Sequence, residues 1–545
     1  MTHFVRVLIA SFLFSAAALG QLPPNVIQHV IVVIQENRTP DNLFGGDIAG
    51  LPNANLATSG ACHANQITLY PWPLDACFDP HHSHYPAWSE MWDRGHYDGA
   101  CDVQSVNATC VSPGITPNYT YAEDTLYDGV HGVLDPYYQI ASTYGFANYM
   151  FQTNQGPSFE AHQFLFSGTS APDDYDDPAG QECYYSDTEY YPCWEWFAAE
   201  LPQGTEFVGC TDTTTYVPDI DPHGHEAYGY QGGYPCYNHN SLATLLDAAN
   251  IPWRYYTPKP YGYWTAPNAI MSTCAPSGGQ CTANDWQQDV ILANSGNYVG
   301  DYAPVLTDIG NCALQPVSWV VPDGVWSDHP GGSNPNAPND GGPSWVAAII
   351  NAVGNATSCD NNAGYWSDTV ILVTWDDWGG WFDHVSPAKS AGGPGDGFPN
   401  GTGTSYVYGA RVPLLVVSGY AKQGYVSGPQ SSPNCSAGGV YYCHDFGSIL
   451  GFTEYVFGLG QISSAGATYP YADYLAPDSP TGLCGSATAC PYPLADFFTS
   501  TFTPFITQIG ATKYPPKCFH VPNQKGCWPG FIPQNPDNDG DEDRD

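Results

Sequence analysis

Three aspartates and a histidine lie within nine positions, directly after a strongly apolar run of the chain. The run, residues 369–374, is β-branched and aliphatic, which predicts a strand buried on both faces of a parallel or mixed sheet. Asp376 and Asp377 follow it, and Asp383 and His384 complete the cluster. The alternative is a turn whose aspartates cap the next element. Adjacent carboxylates repel unless a cation or a proton lies between them, so the pattern favours a charged site.

A second apolar run, residues 28–35, predicts another buried strand, and it also stops at polar residues. Ligands of open α/β sheets bind beyond the carboxyl ends of strands, so we expect the two strand ends to share one site. Together they offer an all-oxygen set of side chains: Glu36, Asn37, Asp376 and Asp377. Hard oxygen ligands of this kind predict one divalent metal ion.

Ser158 follows Gly156 and Pro157, and the apolar spacing of residues 159–166 predicts a helix. The serine therefore lies at or near a helix N-terminus, where backbone N–H groups and the helix dipole favour an anion or a forming alkoxide. An ordinary serine N-cap explains the same local pattern and is favoured by that pattern alone. Beside the metal site, the Ser158 hydroxyl would add one oxygen, and the cation would offset charge on a phosphate.

Histidines occur at two further places. A strand predicted at 316–321 leads to Asp328 and His329, a second aspartate–histidine pair beyond a strand end. The segment 79–84 contains His81, His82 and His84. Composition favours a solvated loop over a metal site for this tract.

The remaining periodic segments alternate between strands and helices. Helices are predicted at 136–144, 342–353 and 446–459, and strands at 251–257 and 412–418. This alternation predicts an α/β fold, with one catalytic domain over residues 21–530 that contains long insertions. We find no repeat and no convincing linker between domains.

The two ends of the chain differ from this pattern. Residues 1–20 contain Arg6, an apolar run and small residues before Gln21, which predicts a cleaved signal peptide and a secreted product. No other segment has the roughly 18 apolar residues of a membrane span, so we expect no stable membrane insertion. Residues 531–545 form an acidic tail that is typical of disordered segments.

Eighteen cysteines fit an oxidising compartment, in which they form cross-links. Five close pairs are typical of small local loops, although spacing leaves the connectivity open: Cys183/Cys193, Cys274/Cys281, Cys435/Cys443, Cys484/Cys490 and Cys518/Cys527. Five N-x-[ST] sequons predict surface loops that would carry glycan in a eukaryotic secretory pathway: Asn107, Asn118, Asn355, Asn400 and Asn434.

The charge balance is strongly acidic, with 12 Lys and Arg against 53 Asp and Glu and a formal net charge of −41. Nucleic acids and anionic membranes both require a basic surface, so a nucleic-acid partner is excluded. Solubility is one explanation of this balance. Function at acidic pH is another explanation, because protonation would reduce the repulsion among the carboxylates.

Taken in order, four stretches resemble the secreted phosphoesterases that include bacterial phospholipases C and related acid phosphatases, distant members of the alkaline-phosphatase superfamily. They are HVIVVIQENRTPDNLFGG, FQTNQGPSFEAHQFLFSGTSAP, WSDHPGG and VTWDDWGGWFDHVSP, which span His29 to Pro387. The resemblance implies an α/β, three-layer sandwich around a mostly parallel sheet, alkaline-phosphatase-like, with long loop-rich, disulfide-bonded insertions.

The resemblance also implies roles for individual residues. Ser158 would be the nucleophile. The metal ligands would be Glu36, Asn37, Asp376 and Asp377 together with the Ser158 oxygen.

Other matching residues would lie close to the substrate phosphate. Asp328 and His329 match an acidic–histidine pair beside it, and His82 matches a further site histidine, with His81 and His84 as competitors for the role. In the same motifs, three residues would lie near the phosphate or support the ligands: Arg38, Asp383 and His384.

The implied reaction is in-line attack by Ser158 on a phosphate ester or phospholipid, through a phosphoserine that water hydrolyses. We expect His329, helped by His82, to protonate or stabilise the leaving oxygen as a charged imidazole, with an acidic optimum. A sulfatase is disfavoured because sulfatases need a C/S-x-P-x-R sequence at the modified residue. Here Ser158 is followed by Phe159, Glu160, Ala161 and His162. The alternative from another class is a non-catalytic secreted carbohydrate-binding or adhesion protein, which the aromatic content of 14% favours.

Overall fold

The computed structural model describes most of the predicted catalytic domain. The described residues are 22–23, 25–46, 51–171, 208–212, 214–215, 217, 235–330, 340–387, 408–428, 444–462, 471–480, 487, 490–505, 508–521 and 527, together with short strands between 182 and 227. The predicted signal peptide at 1–20, the tail at 531–545 and the sequons Asn400 and Asn434 lie outside the described residues.

An eight-stranded sheet lies at the centre of the molecule. Its strands, numbered along the chain, are β1 (His29–Gln35), β2 (Gly145–Ala147), β3 (Trp253–Thr257), β4 (Val290–Leu292), β5 (Val317–Val320), β6 (Thr369–Trp375), β7 (Leu414–Ser418) and β8 (Tyr425–Ser427). Their order across the sheet is β4-β3-β5-β1-β6-β7-β2-β8. Among these eight strands β7 is antiparallel to both neighbours, and every other adjacent pair is parallel. The prediction of a mostly parallel sheet is confirmed.

Helices cover both faces of this sheet. They are α1 (Pro40–Phe44), α2 (Ser89–Trp92), α3 (Asp135–Thr143), α4 (Ser158–Ser167), α5 (Leu242–Ala248), α6 (Met271–Cys274), α7 (Asn284–Asp289), α8 (Pro304–Gly310), α9 (Gly342–Asn355), α10 (Phe446–Phe457), α11 (Ala472–Leu475) and α12 (Lys517–His520). Strands β1 and β6 are buried along their whole length. One helix group packs α3 and α8 on α9, and the other packs α5 and α10 on α4. The result is the predicted three-layer α/β arrangement.

None of the described helices is both long enough and apolar enough to cross a membrane. Where predicted and observed elements differ, the backbone explains the difference. The strand predicted at 412–418 begins at Leu414, because Pro413 has no N–H to donate to a neighbouring strand. The helix predicted at 446–459 ends at Phe457, because Gly458 adopts a left-handed conformation with φ 65°.

The insertions consist of loops and short strand pairs. The pairs are Ser59–Cys62 with Asn65–Thr68, Tyr70–Pro73 with Thr120–Glu123, Asp79–Pro80 with Ser105–Val106, Met150–Phe151 with His444–Asp445, Pro276–Ser277 with Gln280–Cys281, and Glu182–Ser186 with Glu189–Pro192. A three-stranded set joins Phe197–Ala198, Asp219–Ile220 and Glu226–Ala227.

Disulfides cross-link these insertions. The described bonds are Cys62–Cys101, Cys77–Cys110, Cys210–Cys236, Cys274–Cys281, Cys312–Cys359 and Cys518–Cys527. Two of the predicted local pairs are therefore confirmed. The pairs Cys183/Cys193, Cys435/Cys443 and Cys484/Cys490 lie wholly or partly outside the described residues. Cross-links of this kind stabilise loop-rich segments, mainly by restricting the unfolded chain.

The prediction that every sequon marks a surface loop is wrong at Asn118. Its side chain is buried, and its Nδ2 donates to the carbonyl of Gly380 at 2.8 Å. Its own carbonyl accepts from the backbone N of Phe382 at 3.0 Å. The folded protein has no room for a glycan at this position. Asn107 and Asn355 are exposed, although Asn355 is the last residue of α9 and not part of a loop.

A buried histidine connects the C-terminal part of the chain to the edge of the sheet. His444 Nδ1 lies 2.7 Å from Asp478 Oδ2, and Nε2 lies 2.9 Å from Ser427 Oγ and 3.8 Å from Asp496 Oδ1. Desolvation lowers the pKa of His444, but the carboxylates of Asp496 and Asp478 outweigh it and raise the pKa to about 10. The group has the residue types of a Ser-His-Asp triad, but an imidazole that stays charged cannot accept a proton from serine.

His444→Gln tests this network. The variant leaves two carboxylates buried without their cation, so we expect the free energy of unfolding to fall by about 3–5 kcal/mol. Because the folded pKa of about 10 lies above the unfolded value of 6.5, the stabilisation is complete below pH 6.5 and is lost as the pH rises through 10. Denaturant titrations from pH 6 to 10 should therefore show a steeper loss for wild type than for the variant.

The control for this test is His131→Gln, which changes an exposed histidine that is paired with Asp128. It should leave stability nearly unchanged. Parallel pH profiles for His444→Gln and wild type would contradict the proposed charge state.

Candidate metal centre

The ends of β1 and β6 lie side by side. The two strands pair in parallel with Gln35 opposite Trp375, so the next residues of each strand, Glu36 and Asp376, leave the sheet at the same edge. The backbone continues this pairing past the strands, since Asp376 N donates to Gln35 O at 2.9 Å and Arg38 N donates to Asp377 O at 3.0 Å. Sheet register therefore brings the predicted ligands together.

The glycine pair after the aspartates allows the two loops to approach this closely. Gly379 and Gly380 have φ values of 60° and 69°, which favour glycine. A Cβ on Gly379 would lie 2.6 Å from the carbonyl oxygen of Asn37. The same carbonyl accepts from Trp381 Nε1 at 3.1 Å. A larger residue at 379 would push apart the two loops that supply the ligands.

Ser158 is the first residue of α4, and the N-cap is Pro157. The alternative prediction, that Ser158 is an ordinary N-cap, is therefore wrong. Its fully buried hydroxyl donates to Glu36 Oε2 at 3.0 Å and lies 3.4 Å from Asp377 Oδ2. The serine thus joins the two strand ends at one point, with its oxygen among the carboxylates.

Gln152 fixes the loop that precedes this serine. Its Oε1 accepts from the backbone N of Trp378 at 3.0 Å, and its Nε2 donates to Gly156 O at 3.0 Å. Asn154 Nδ2 donates to the same carbonyl at 2.9 Å. The start of α4 is therefore tied to the loop that follows β6.

His162 is a site residue that sequence analysis missed. It lies one helical turn after Ser158, and its Nε2 is 3.0 Å from Glu36 Oε1 and 3.7 Å from Asp376 Oδ2. The Tyr255 hydroxyl donates its proton to Trp264 O at 2.7 Å, so His162 Nδ1, 3.3 Å away, must be the donor to Tyr255. This leaves Nε2 facing the carboxylates. The spacing of four residues on one helix face was the available signal.

The charges at this edge require a positive partner. Glu36, Asp376 and Asp377 are completely buried, and Asp376 Oδ2 has no hydrogen-bond partner among the described residues. Two carboxylates 4 Å apart repel by about 4 kcal/mol at an effective dielectric constant of about 20. Ligand atoms of Glu36, His162 and Asp376 lie within 4.8 Å of one another. The donor set therefore fits a divalent cation.

The side-chain amide of Asn37 can be oriented as a ligand of such a cation. Its oxygen faces Glu36 and Asp376, an orientation that favours a cation. Turned by 180°, the amide nitrogen would instead donate to Glu36 Oε2 at 3.2 Å and Asp376 Oδ1 at 3.1 Å. The first orientation suits a metal ligand, and the second satisfies the hydrogen bonds without metal. The residue has a left-handed backbone with φ 58°, which asparagine tolerates.

Two histidines face the other edge of this amide. His82 Nδ1 lies 2.8 Å from Pro80 O and His329 Nδ1 lies 2.8 Å from Pro330 O, so each Nδ1 carries the proton. Each Nε2 lies 3.0 Å from the Asn37 amide. The structure thus brings His82 and His329 together with the predicted ligands, with ring centroids 6.0 Å apart. Of the three histidines in the 79–84 segment, His82 is the fully buried one.

The carboxylate of Asp328 accepts hydrogen bonds from two aromatic side chains. Its Oδ2 accepts from the Tyr137 hydroxyl at 2.7 Å and from Trp375 Nε1 at 2.9 Å. Burial raises its pKa to about 6, although Arg38 and the bonds from Tyr137 and Trp375 oppose the shift. Its backbone N donates to Gln35 Oε1 at 3.0 Å. These contacts hold the loop that presents His329.

The guanidinium of Arg38 is also engaged. Nε and Nη2 donate to the carbonyl of Asp328 at 3.0 and 2.6 Å, Nη2 also donates to Leu74 O at 2.7 Å, and Nη1 donates to Asn42 Oδ1 at 3.0 Å. The side chain is 1% exposed and lies over the Trp381 ring. Its contacts tie three loops together.

Asp383 and His384 belong to a neighbouring charged group. Arg411 donates to both oxygens of Asp383, at 2.8 and 2.9 Å. His384 Nδ1 lies 2.6 Å from Asp41 Oδ2, and its Nε2 lies 3.1 Å from Asn55 Oδ1. Paired Arg–carboxylate contacts of this geometry fix loops firmly. The group supports the loop after β6 and the start of α1.

The sequence matches known proteins over much of its length. A model described as Phosphoesterase family matches residues 27–460. The non-hemolytic phospholipase C of Pseudomonas aeruginosa is 22% identical over 446 residues, covering 74% of this chain and 51% of that protein. Phospholipase C B of Mycobacterium tuberculosis is 30% identical over 204 residues, or 34% of this chain and 35% of that protein.

The chain thus spans about half the length of the Pseudomonas relative and less of the Mycobacterium one. Among solved structures, "Crystal structure of Ps i-CgsB in complex with k-i-k-neocarrahexaose" overlaps 80% of this chain and 73% of its own, at 9% identity and a TM-score of 0.31. A score this low carries no argument about function.

Removal of two carboxylates tests the metal centre. The variant Asp376→Asn/Asp377→Asn removes two negative charges from the cluster, so it should retain one ion fewer per chain than wild type. The measurement is metal content after equilibrium dialysis against Mn²⁺. Asp128→Asn, which changes an exposed carboxylate, is the matched control and should bind as wild type does. Equal metal content in wild type and the double variant would contradict the assignment.

Proposed function

We propose that this chain, which belongs to the Phosphoesterase family, is a secreted, metal-dependent phosphoric ester hydrolase whose nucleophile is Ser158. One observation carries the proposal. The Ser158 hydroxyl is buried at the start of α4 and lies 3.0 Å from Glu36 and 3.4 Å from Asp377, at the joined ends of β1 and β6. A serine held in this position has no capping role that would explain it.

The ion would be held by Glu36, Asn37, Asp376 and Asp377 with the Ser158 oxygen, and His162 stands close enough to add a nitrogen. When bound, a divalent cation supplies positive charge that makes a serine hydroxyl easier to deprotonate and offsets charge on a phosphate. The identity of the metal stays open, because carboxylate, amide and imidazole donors together suit several divalent ions.

Ser158 performs the covalent step. Its Oγ forms a bond to phosphorus while the bond from phosphorus to the leaving oxygen breaks, and water then hydrolyses the phosphoserine. Positioning and charge supply most of the rate enhancement in phosphoryl transfer. Gln152 and the first turn of α4 supply the positioning, since both fix the serine against the loop that follows β6.

His329 and His82 act on the leaving group. Each is oriented by a backbone carbonyl at Nδ1, so both Nε2 atoms converge on the same side of Asn37. With the Asn37 oxygen turned towards the metal, the amide nitrogen donates to both Nε2 atoms, so the imidazole that serves the leaving oxygen must exchange this contact for a proton before it donates. The ring of Trp264 lies beside His329, with ring centroids 6.3 Å apart, and both side chains are buried.

Arg38 and Asp328 then act as positioning residues. Their contacts with Leu74, Tyr137 and Trp375 hold the loop that carries His329. This assignment differs from the place beside the phosphate that the resemblance implies for Asp328, and it is the supporting role that the resemblance allows for Arg38. We propose the same kind of supporting role for Asp383 and His384, through Arg411 and Asp41.

The substrate is a phosphate monoester, as for an acid phosphatase, or the phosphodiester of a phospholipid, as for a phospholipase C. Two relatives named phospholipase C support the second class. Comparison of 4-nitrophenyl phosphate, its phosphocholine ester and phosphatidylcholine separates the two. The disulfides of the described residues support a secreted location, because such bonds persist in oxidising compartments.

Ser158→Ala tests the nucleophile. Without the hydroxyl no phosphoserine forms, so we expect the hydrolysis rate on the preferred ester of this panel to fall by about 10³-fold or more. Ser167→Ala, at the other end of α4 and equally buried, is the matched control and should keep its activity. Unchanged hydrolysis in Ser158→Ala would sink the proposal and favour the non-catalytic binding protein.

The pH profile tests the leaving-group assignment. Because His329 must be charged to donate, the hydrolysis rate should be greatest at acidic pH and decline towards pH 9. His329→Asn should lower kcat by about 10²–10⁴-fold and flatten the alkaline decline. The difference in rate between wild type and His329→Asn should vanish for substrates with very acidic leaving groups, which need no proton. A rate that climbs steadily from pH 5 to pH 9 would contradict this role.

A further inference from the structure

A second group of metal-ligating side chains lies at the opposite edge of the sheet. His29 is the first residue of β1, and Asp368 directly precedes β6. Strand β1 has seven residues, so about 20 Å separate this group from the metal centre at the other end of the strand. Asp360 joins the group from the loop that follows α9. None of the three side chains takes part in the proposed reaction.

The backbone holds these three residues in place. Gln28 N and His29 N both donate to Asp368 O, at 2.8 and 3.1 Å. Asp360 directly follows Cys359, which is bonded to Cys312. The ring of Tyr365 packs edge-on against the imidazole at 4.8 Å. The group therefore has fixed geometry and does not depend on flexible side chains meeting by chance.

The imidazole is oriented as in a metal ligand. His29 Nδ1 lies 3.1 Å from the carbonyl of Gln315, so it donates there and leaves the Nε2 lone pair facing the two carboxylates. A ring N–H donated to a backbone carbonyl is the usual support of a metal-bound histidine. The side chain is 9% exposed, and Nε2 lies 3.6 Å from Asp360 Oδ2.

Two carboxylate oxygens in the group also lack partners. Asp360 Oδ2 and Asp368 Oδ1 are buried atoms with no hydrogen bond to any described residue. Leaving such an atom unsatisfied costs about 1–3 kcal/mol, and more when it is charged. The ligand atoms of His29, Asp360 and Asp368 lie within 4.8 Å of one another. Three potential metal ligands thus face one small volume and form no short hydrogen bonds with one another.

The spacing fits a metal better than a hydrogen-bonded pair. His29 Nε2 and Asp360 Oδ2 are 3.6 Å apart, longer than a hydrogen bond. Bonds of about 2.0–2.2 Å to a tetrahedral Zn²⁺ place neighbouring ligand atoms about 3.3–3.6 Å apart. The partly exposed side of Asp360 leaves room for water as the fourth ligand.

We propose that His29, Asp360 and Asp368 form a second divalent-cation site, of the imidazole-and-carboxylate class that binds Zn²⁺. The site would clamp the beginnings of β1 and β6 to the disulfide-bonded loop at Cys359. It is structural and independent of the hydrolytic site, since it stands on the far edge of the sheet.

The test is Zn²⁺ content of the full-length protein, stripped with chelator and dialysed against micromolar Zn²⁺. Wild type should retain two ions per chain, and His29→Gln one. Asp376→Asn/Asp377→Asn should also retain one, and a variant with all three substitutions none. His29→Gln should hydrolyse the preferred ester at the wild-type rate, because His29 takes no part in the proposed reaction.

Asp360→Asn is the second variant, because its partly exposed side chain makes misfolding less of a concern. In the Asp376→Asn/Asp377→Asn background, Zn²⁺ at a hundredfold excess over Kd should raise Tm, and the added Asp360→Asn should abolish the rise. Equal Zn²⁺ content in wild type, His29→Gln and Asp360→Asn would overturn the proposal. So would a rise in Tm that persists without the Asp360 carboxylate.

Discussion

Burial of like charges at one edge of the sheet is the constraint on which the rest of the structure depends. Glu36, Asp376 and Asp377 are completely excluded from solvent, and the imidazole of His162 lies 3.0 Å from Glu36 and 3.7 Å from Asp376. One imidazolium cannot balance three carboxylates. A cation at this point would offset the repulsion among these carboxylates, which the backbone pairing of β1 with β6 brings to the same edge of the sheet.

The surrounding loops maintain that geometry. Gly379 permits the loop after β6 to touch Asn37, and Gln152 joins the same loop to the start of α4. Arg38 fastens the loop after β1 to the one that carries His329, through the carbonyl of Asp328. The site is therefore assembled from segments more than 300 positions apart and exists only when the whole central sheet has formed.

Much of this could be predicted from the sequence, because apolar strands that end in acids carry a local signal. The ends of the strands at Glu36 and Asp376, and the glycines after them, belong to this class. His162 was missed because its role depends on a helix face, and its separation from Ser158 by one turn was not used. The contacts of Asp328 with Tyr137 and of Arg38 with Leu74 depend on packing between distant segments. No local sequence pattern indicates these contacts.

The same reasoning explains the other differences. The sequon at Asn118 has the pattern of a surface loop, but its amide is used inside the protein to hold Gly380. The close spacing of Cys274 with Cys281 and of Cys518 with Cys527 was typical of local loops, whereas Cys312–Cys359 bridges 47 positions and requires the fold. Site residues could be predicted from the sequence where they are neighbours in the chain or lie at the ends of paired strands.

Anomalous X-ray diffraction from crystals equilibrated with Mn²⁺ tests the central claim most directly. The account predicts a peak within about 2–2.6 Å of oxygens from Glu36, Asp376 and Asp377, next to Ser158 Oγ. Ordered carboxylates at these positions with no peak between them, under conditions that support hydrolysis, would contradict it.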